Sequence, residues 1–182
     1  MTEMSARIPL ERVAVLIGPK GTTRSALEKQ TGTKVAIDSE TGEVTITGED
    51  AISVMSVYEY VKAIGRGFSP QRSKKLLTEG YYLLIIDIRD IVGRSKKRIP
   101  VIRGRLIGRR GRVRELIEEH SGAVLSVMGN TVSVIGTEEE IETVKVAVDM
   151  VLHGAEHHSV FSFLERKRRD LATPREIEDV ER

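Results

Sequence analysis

The feature that most narrows what this chain folds into is a repeat. Ile17-Gly18-Pro19-Lys20-Gly21 returns ninety positions later as Ile107-Gly108-Arg109-Arg110-Gly111, and self-similarity at a fixed spacing marks a duplicated unit. Each copy leads into a helical stretch closed by Thr31-Gly32 or Ser121-Gly122, then into two short strand-like runs. These runs are Thr33 to Asp38 and Glu43 to Thr47 in the first copy, and Ala123 to Met128 and Thr131 to Ile135 in the second. The offset is 90 at Gly32/Gly122, 88 at Gly48/Gly136 and 89 at Gly65/Gly154. Length changes therefore fall in turns, where duplicated domains tolerate them. At 182 residues, two small units fit the chain.

Period and punctuation give the order within a unit. A strand comes first, clearest as Tyr81 to Ile88. It is followed by a short amphipathic helix, Leu10 to Ile17 or Val101 to Ile107, and after the Gly-x-x-Gly turn a second helix runs to Gly32 or Gly122. Glycine there stops a helix because it takes the left-handed conformation cheaply. Two strands and a long closing helix complete the unit, Asp50 to Ala63 and Glu138 to Leu152. Thr137 with Glu140 predicts a capping box, and Ser69-Pro70 predicts an N-cap with proline at the first helical position of a short linker helix to about Leu77. Each unit has a marginal core alone, so the two are expected to pack together.

Charge is distributed unevenly between the copies. The chain nets only +2, but Arg89 to Arg114 holds eleven basic residues and one acid, leaving −8 for the remainder. Ile99, Val101, Ile102, Leu106, Ile107 and Val113 interleave with those arginines, which a solvated tail would not need. Residues 1 to 66 carry eight basic and nine acidic side chains. Zero cysteines exclude a disulfide scaffold, a thiolate zinc site and a cysteine nucleophile. One Asn and two Gln beside so much charge fit the composition of thermophile proteins. No run of about 18 apolar residues and no signal-like start is present, predicting a cytoplasmic protein away from membranes.

This order, with Ile-Gly-x-x-Gly between two helices, resembles the KH domain. The resemblance implies an α+β chain of two tandem type I KH domains (β-α-α-β-β-α), each a three-stranded antiparallel sheet covered by helices, packed as a pseudo-symmetric pair. The expected boundaries are 5–67 for the first domain, 68–80 for a linker with a short helix, 81–155 for the second domain and 156–182 for a C-terminal helical extension. The tandem arrangement, the linker Gly65 to Pro70 and the segment His158 to Arg169 are similar to the archaeal and eukaryotic small-subunit ribosome assembly proteins of the partner-of-Nob type. That similarity implies binding to the 3′ region of small-subunit ribosomal RNA beside the endonuclease that matures it. For archaeal members it also implies contact with the alpha subunit of initiation factor two.

The residues support RNA binding on their own chemistry. Two glycines let a sugar-phosphate chain approach the backbone, and the following helix start offers N–H groups to an anion. The RNA-binding candidates are Gly18, Pro19, Lys20 and Gly21 in the first copy, and Gly108, Arg109, Arg110, Gly111, Arg112, Arg114, Arg103 and Arg105 in the second. Ile107 and Val127 are the candidate base contacts; Ile117 and Leu125 read more readily as core. All seven aromatic residues lie outside this groove, unlike modules that stack bases on aromatic platforms. With Pro19-Lys20 in place of Arg109-Arg110, the first copy is expected to bind RNA more weakly, or to contact protein.

Several alternatives stay open on sequence. A protein-interaction adaptor docking a nuclease or translation factor, with RNA secondary, competes with the RNA-binding reading, and single-stranded DNA competes with RNA. No cofactor is expected, and no Ser/His/Asp pattern, carboxylate cluster or Walker loop suggests an enzyme. His153 and His157 have helical spacing but no third metal ligand. Glu118 and Glu119 read as a solvated helix face, and Arg166 to Arg169 as either a helix face or a secondary contact.

Overall fold

The computed structural model describes residues 1–172, so the last ten residues of the predicted 156–182 extension lie outside the described residues. The first half runs β1 (Thr2–Arg7), α1 (Leu10–Ile17), a 3-10 turn (Pro19–Gly21), α2 (Thr22–Thr31), β2 (Lys34–Ile37), β3 (Glu43–Gly48) and α3 (Ala51–Gly65). A linker follows, with α4 (Pro70–Ser73) running into a 3-10 turn at Lys74–Leu77. The second half repeats the order with one helix added after its first strand: β4 (Tyr82–Asp87), the added α5 (Ile88–Val92), α6 (Arg98–Ile107), a 3-10 turn (Arg109–Gly111), α7 (Arg112–Ser121), β5 (Val124–Met128), β6 (Thr131–Gly136) and α8 (Glu138–Leu152), followed by α9 (His157–Ala172).

Each half carries its own antiparallel sheet, ordered β1-β3-β2 and β4-β6-β5. The first strand begins at Thr2, three residues before the expected boundary. The predicted caps form: Ser69 accepts from the Arg72 N–H, and Thr137 and Glu140 make the reciprocal capping box. Helix α5 and the first turn of α6 were not predicted, because five residues are too few to show a helical period and Pro100 reads as a break. Proline is tolerated in the first turn, where its missing N–H has no intrahelical partner.

Two cores lie under the sheets. In the first half Leu16, Val44, Ile46, Val57 and Ile64 are fully buried; Leu106, Ile117, Val134, Val144 and Val148 fill the second. Val160 and Leu164 of α9 are buried in that second core, so α9 is part of the second domain rather than an appendage. Its basic run, Arg166 to Arg169, is exposed.

The halves share a fold but meet through unlike surfaces. Ala63 of α3, Phe68 and Leu76 of the linker, and Ile135 of β6 form a third buried cluster, joined by Tyr81, Leu83 and Val124. The second sheet is thus covered on both faces: every residue of β6 is buried, including Ser133 at 0% exposure. Alternation along Val124 to Met128 and Thr131 to Gly136 gives Ser126 and Ser133 the look of solvent-facing positions, yet both lie in this interface. Ser126 donates to the Arg66 carbonyl at 2.7 Å. The matching face of the first sheet shows Glu3, Ser5, Arg7, Lys34 and Glu43 to solvent.

Candidate nucleic-acid interface

Both Gly-x-x-Gly segments adopt one geometry. Gly18 and Gly108 have φ near 73°, and Gly21 and Gly111 have φ of 75° and 79°. A Cβ on Gly18 would lie 2.1 Å from Thr23 Oγ1, and one on Gly108 would lie 2.3 Å from Val113 Cγ2. The leading glycine is therefore fixed by backbone angle and by contact with the next helix; the trailing one, where a Cβ would meet nothing closer than 3.8 Å, by angle alone. Among the described residues the positive-φ non-glycines are Lys20 (52°) and Arg110 (54°), the same position in each copy. An L-residue held there costs of order 1 kcal/mol, and strain of this sort gathers at functional sites.

The turn feeds two helix starts that have no side-chain cap. Helices α2 and α7 both begin at a left-handed glycine, with no cap hydrogen bond from Gly21 or Gly111. The first N–H of each helix, at Thr22 and Arg112, donates to the Pro19 or Arg109 carbonyl of the preceding turn. Around the first turn stand exposed Pro19 and Lys20; around the second, exposed Arg109, Arg110 and Arg112. Arg114 is half-buried, with Nε sequestered and unpaired. Arg24, ninety residues earlier, is also half-buried with a sequestered Nε, which there lies 4.0 Å from Glu28 Oε2.

Arg105 does not join this group. Its guanidinium donates to the Val151 carbonyl at 3.0 Å and to the Ala155 carbonyl, closing the C-terminal end of α8. A cation there complements the helix dipole, so Arg105 has a structural role at the end of α8. Arg12 acts alike in the first half, donating to Ile64 and Phe68 carbonyls, both at 2.7 Å. Arg103 remains near the groove, its Nε sequestered without a partner.

Strand β5 lies at one edge of the second sheet. Glu118 is not a solvated face as expected. It accepts from the Leu125 N–H at 2.7 Å and pairs with Arg72, which also donates to the Leu125 carbonyl at 3.2 Å. Glu28 accepts from the Val35 N–H at 2.8 Å in the same way. Backbone direction alternates along a strand, so Val127, two residues past Leu125, also turns its N–H and C=O to the open edge. Val127 and Ile107 are half-buried, whereas Leu106, Val113, Ile117 and Leu125 belong to the core.

His157 and His153 do not converge. His157 Nε2 lies 3.0 Å from the Arg105 carbonyl and the ring stacks on Phe161, while His153 lies beside Asp149. Asp87 accepts from Arg89 at 2.5 to 3.1 Å, and the guanidinium holds its carboxyl down at about 2. No helix among the described residues is long and apolar enough to cross a membrane.

Residues 3–63 match the KH domain family, and residues 82–169 match the family described as the eukaryotic type KH domain, KH-domain type I, of the PNO1 second-domain class. A KH domain-containing protein of Methanocaldococcus jannaschii is 42% identical over 93% of this chain and 75% of its own length. The chain belongs to the KH-domain family. As a tandem KH protein it also aligns with solved structures. Dim2p from Pyrococcus horikoshii is 49% identical, with a TM-score of 0.86 over 91% of this chain and 99% of the other. A chain from the a/eIF2alpha-aDim2p-rRNA complex of the same organism is 49% identical, with a TM-score of 0.87 over 93% and 95%. The second KH match runs to residue 169, in keeping with the burial of α9 in that domain.

Proposed function

We propose that this protein binds single-stranded RNA without catalysing a reaction, and that its target is the 3′ region of small-subunit ribosomal RNA during ribosome assembly and processing. The observation that carries the reading is the duplicated strained turn: a basic residue at positive φ, flanked by glycines, opening an uncapped helix. Gly108 to Gly111 clamps about four nucleotides. Arg109, Arg110, Arg112 and Arg114 neutralise phosphates. Bases turn toward Ile107 and the open edge at Val127. The solved complex containing a similar chain with ribosomal RNA and a/eIF2alpha supports the RNA class and favours the alpha subunit of initiation factor two as a protein partner. The endonuclease that matures this RNA end is the further expected neighbour, and the cytoplasm the site of action.

The second domain dominates affinity in this reading, since Gly18-Pro19-Lys20-Gly21 brings one cation to its clamp. Exposed Ile52 and Met55 on α3 favour protein contact for the first domain. With about four phosphates held and a salt slope of about 0.7 for each, affinity falls about 50-fold between 50 and 200 mM salt. Changing Arg109 and Arg110 together to Asp abolishes RNA binding in a filter or anisotropy assay. A larger loss from the same change at Pro19 and Lys20 reverses the ranking. Crosslinking in cells with sequencing of attached RNA gathers reads at the small-subunit 3′ end; reads scattered over messenger RNA defeat the ribosomal assignment.

A further inference from the structure

The two halves differ most between their first strand and first helix. The strands end at Arg7 and Asp87, an offset of 80, while the helices end at Ile17 and Ile107, an offset of 90. The second half therefore inserts ten residues, 89–98, carrying Arg89, Arg94, Lys96, Lys97 and Arg98 against Asp90. The inserted segment is tied to the β5–β6 turn where it begins, since the Ile88 N–H donates to the Asn130 carbonyl at 2.8 Å. Ile8 makes the same bond to Gly42 at 3.0 Å in the first half, with no such insertion after it.

The insertion builds a cavity of about 310 Å³. Arg89, Arg94, Lys96 and Arg103 line it together with Ile99, Pro100 and Asn130 of the turn, and no carboxylate is among the lining residues. Arg89 is held by Asp87, whereas Arg94, Lys96 and Arg103 make no ion pair among the described residues. Arg103 stands five residues before Gly108 on α6, about 7.5 Å along the helix axis at 1.5 Å per residue. Asn130 follows Val127 by three residues. The cavity thus prolongs the groove at the end away from the clamp, and three converging cations beside one amide suit phosphate oxygens.

We propose that the 89–98 insertion forms a second phosphate site, which takes the backbone of single-stranded RNA beyond the four nucleotides of the clamp. This inference rests on the RNA-binding reading above. It makes the second domain's footprint longer than that of the first.

The test uses the full chain, a ten-nucleotide RNA from the small-subunit 3′ end, four-nucleotide pieces of it, and pyrophosphate. Arg94→Ala with Lys96→Ala leaves tetranucleotide affinity within twofold of the unaltered protein. The same variant loses the extra affinity for the ten-nucleotide RNA, and its salt slope falls by about 0.7 for each phosphate released. Pyrophosphate shifts the Asn130 side-chain amide resonance in the unaltered protein and not in the variant. Unchanged binding of the longer RNA overturns the inference, even if pyrophosphate binds, because the anion site is then unconnected with RNA. Equal loss for both RNAs also overturns it. Failure of the unaltered protein to bind any of these RNAs instead defeats the RNA-binding reading itself.

Discussion

Lys20 and Arg110 hold the same strained angle in two copies whose other clamp residues have diverged. Arg110→Gly relieves the angle while removing the charge, so its two effects have opposite signs. Chemical denaturation gives a stability between unchanged and about 1 kcal/mol higher, because glycine's greater unfolded-state entropy offsets part of the relief. RNA affinity falls. The flanking glycines differ from each other in kind. Gly108→Ala drives a Cβ into Val113 and costs about 2 kcal/mol or more, whereas Gly111→Ala meets only ordinary contact with Arg114 and Glu115 and costs about 1 kcal/mol for the angle. Tyr60 gives a pH signature: burial pushes its phenol up to about 12. A raised folded-state value means that stability is fully present below the unfolded value near 10, and declines as pH rises from about 10 to about 12. Thermal denaturation of Tyr60→Phe lacks that alkaline decline.

Among the elements, Glu118 fastens α7, the edge of β5 and the linker arginine to one another. A double-mutant cycle of Arg72→Ala and Glu118→Ala gives a coupling of about 1 to 3 kcal/mol by urea denaturation, since both groups are largely withdrawn from water and share hydrogen bonds. The repeat, the helix caps and the order of elements along the chain were readable because each depends on spacing or on residues a few positions apart. Glu118 was not, because its partners lie 7 and 46 residues away and a glutamate on a helix looks the same whether or not it meets them. The carbonyl bonds of Arg105 were hidden for the same reason, since Val151 and Ala155 lie 46 and 50 residues away. Arg105 sits in a run of otherwise exposed or half-exposed arginines, and only the packing of α6 on α8 turns it inward. The clamp itself was legible as sequence, whereas the basic cavity was hidden because its insertion precedes the segment in which the ninety-residue spacing holds.

On the scale of the molecule, the near-zero net charge is a balance between unequal halves rather than a uniform property. The interface that joins them involves the second domain's sheet and the first domain's last helix, so the two clamps belong to one assembly and not to a flexible string. Its consequence concerns modularity. The repeat suggests cutting the chain near residue 80, but Ala63, Phe68 and Leu76 on one side of that cut complete the surface of Ile135, Leu83 and Val124 on the other. The second copy has surrendered its autonomy to the first. To transplant it into another protein, one would have to carry along a stretch that by ancestry belongs to its twin.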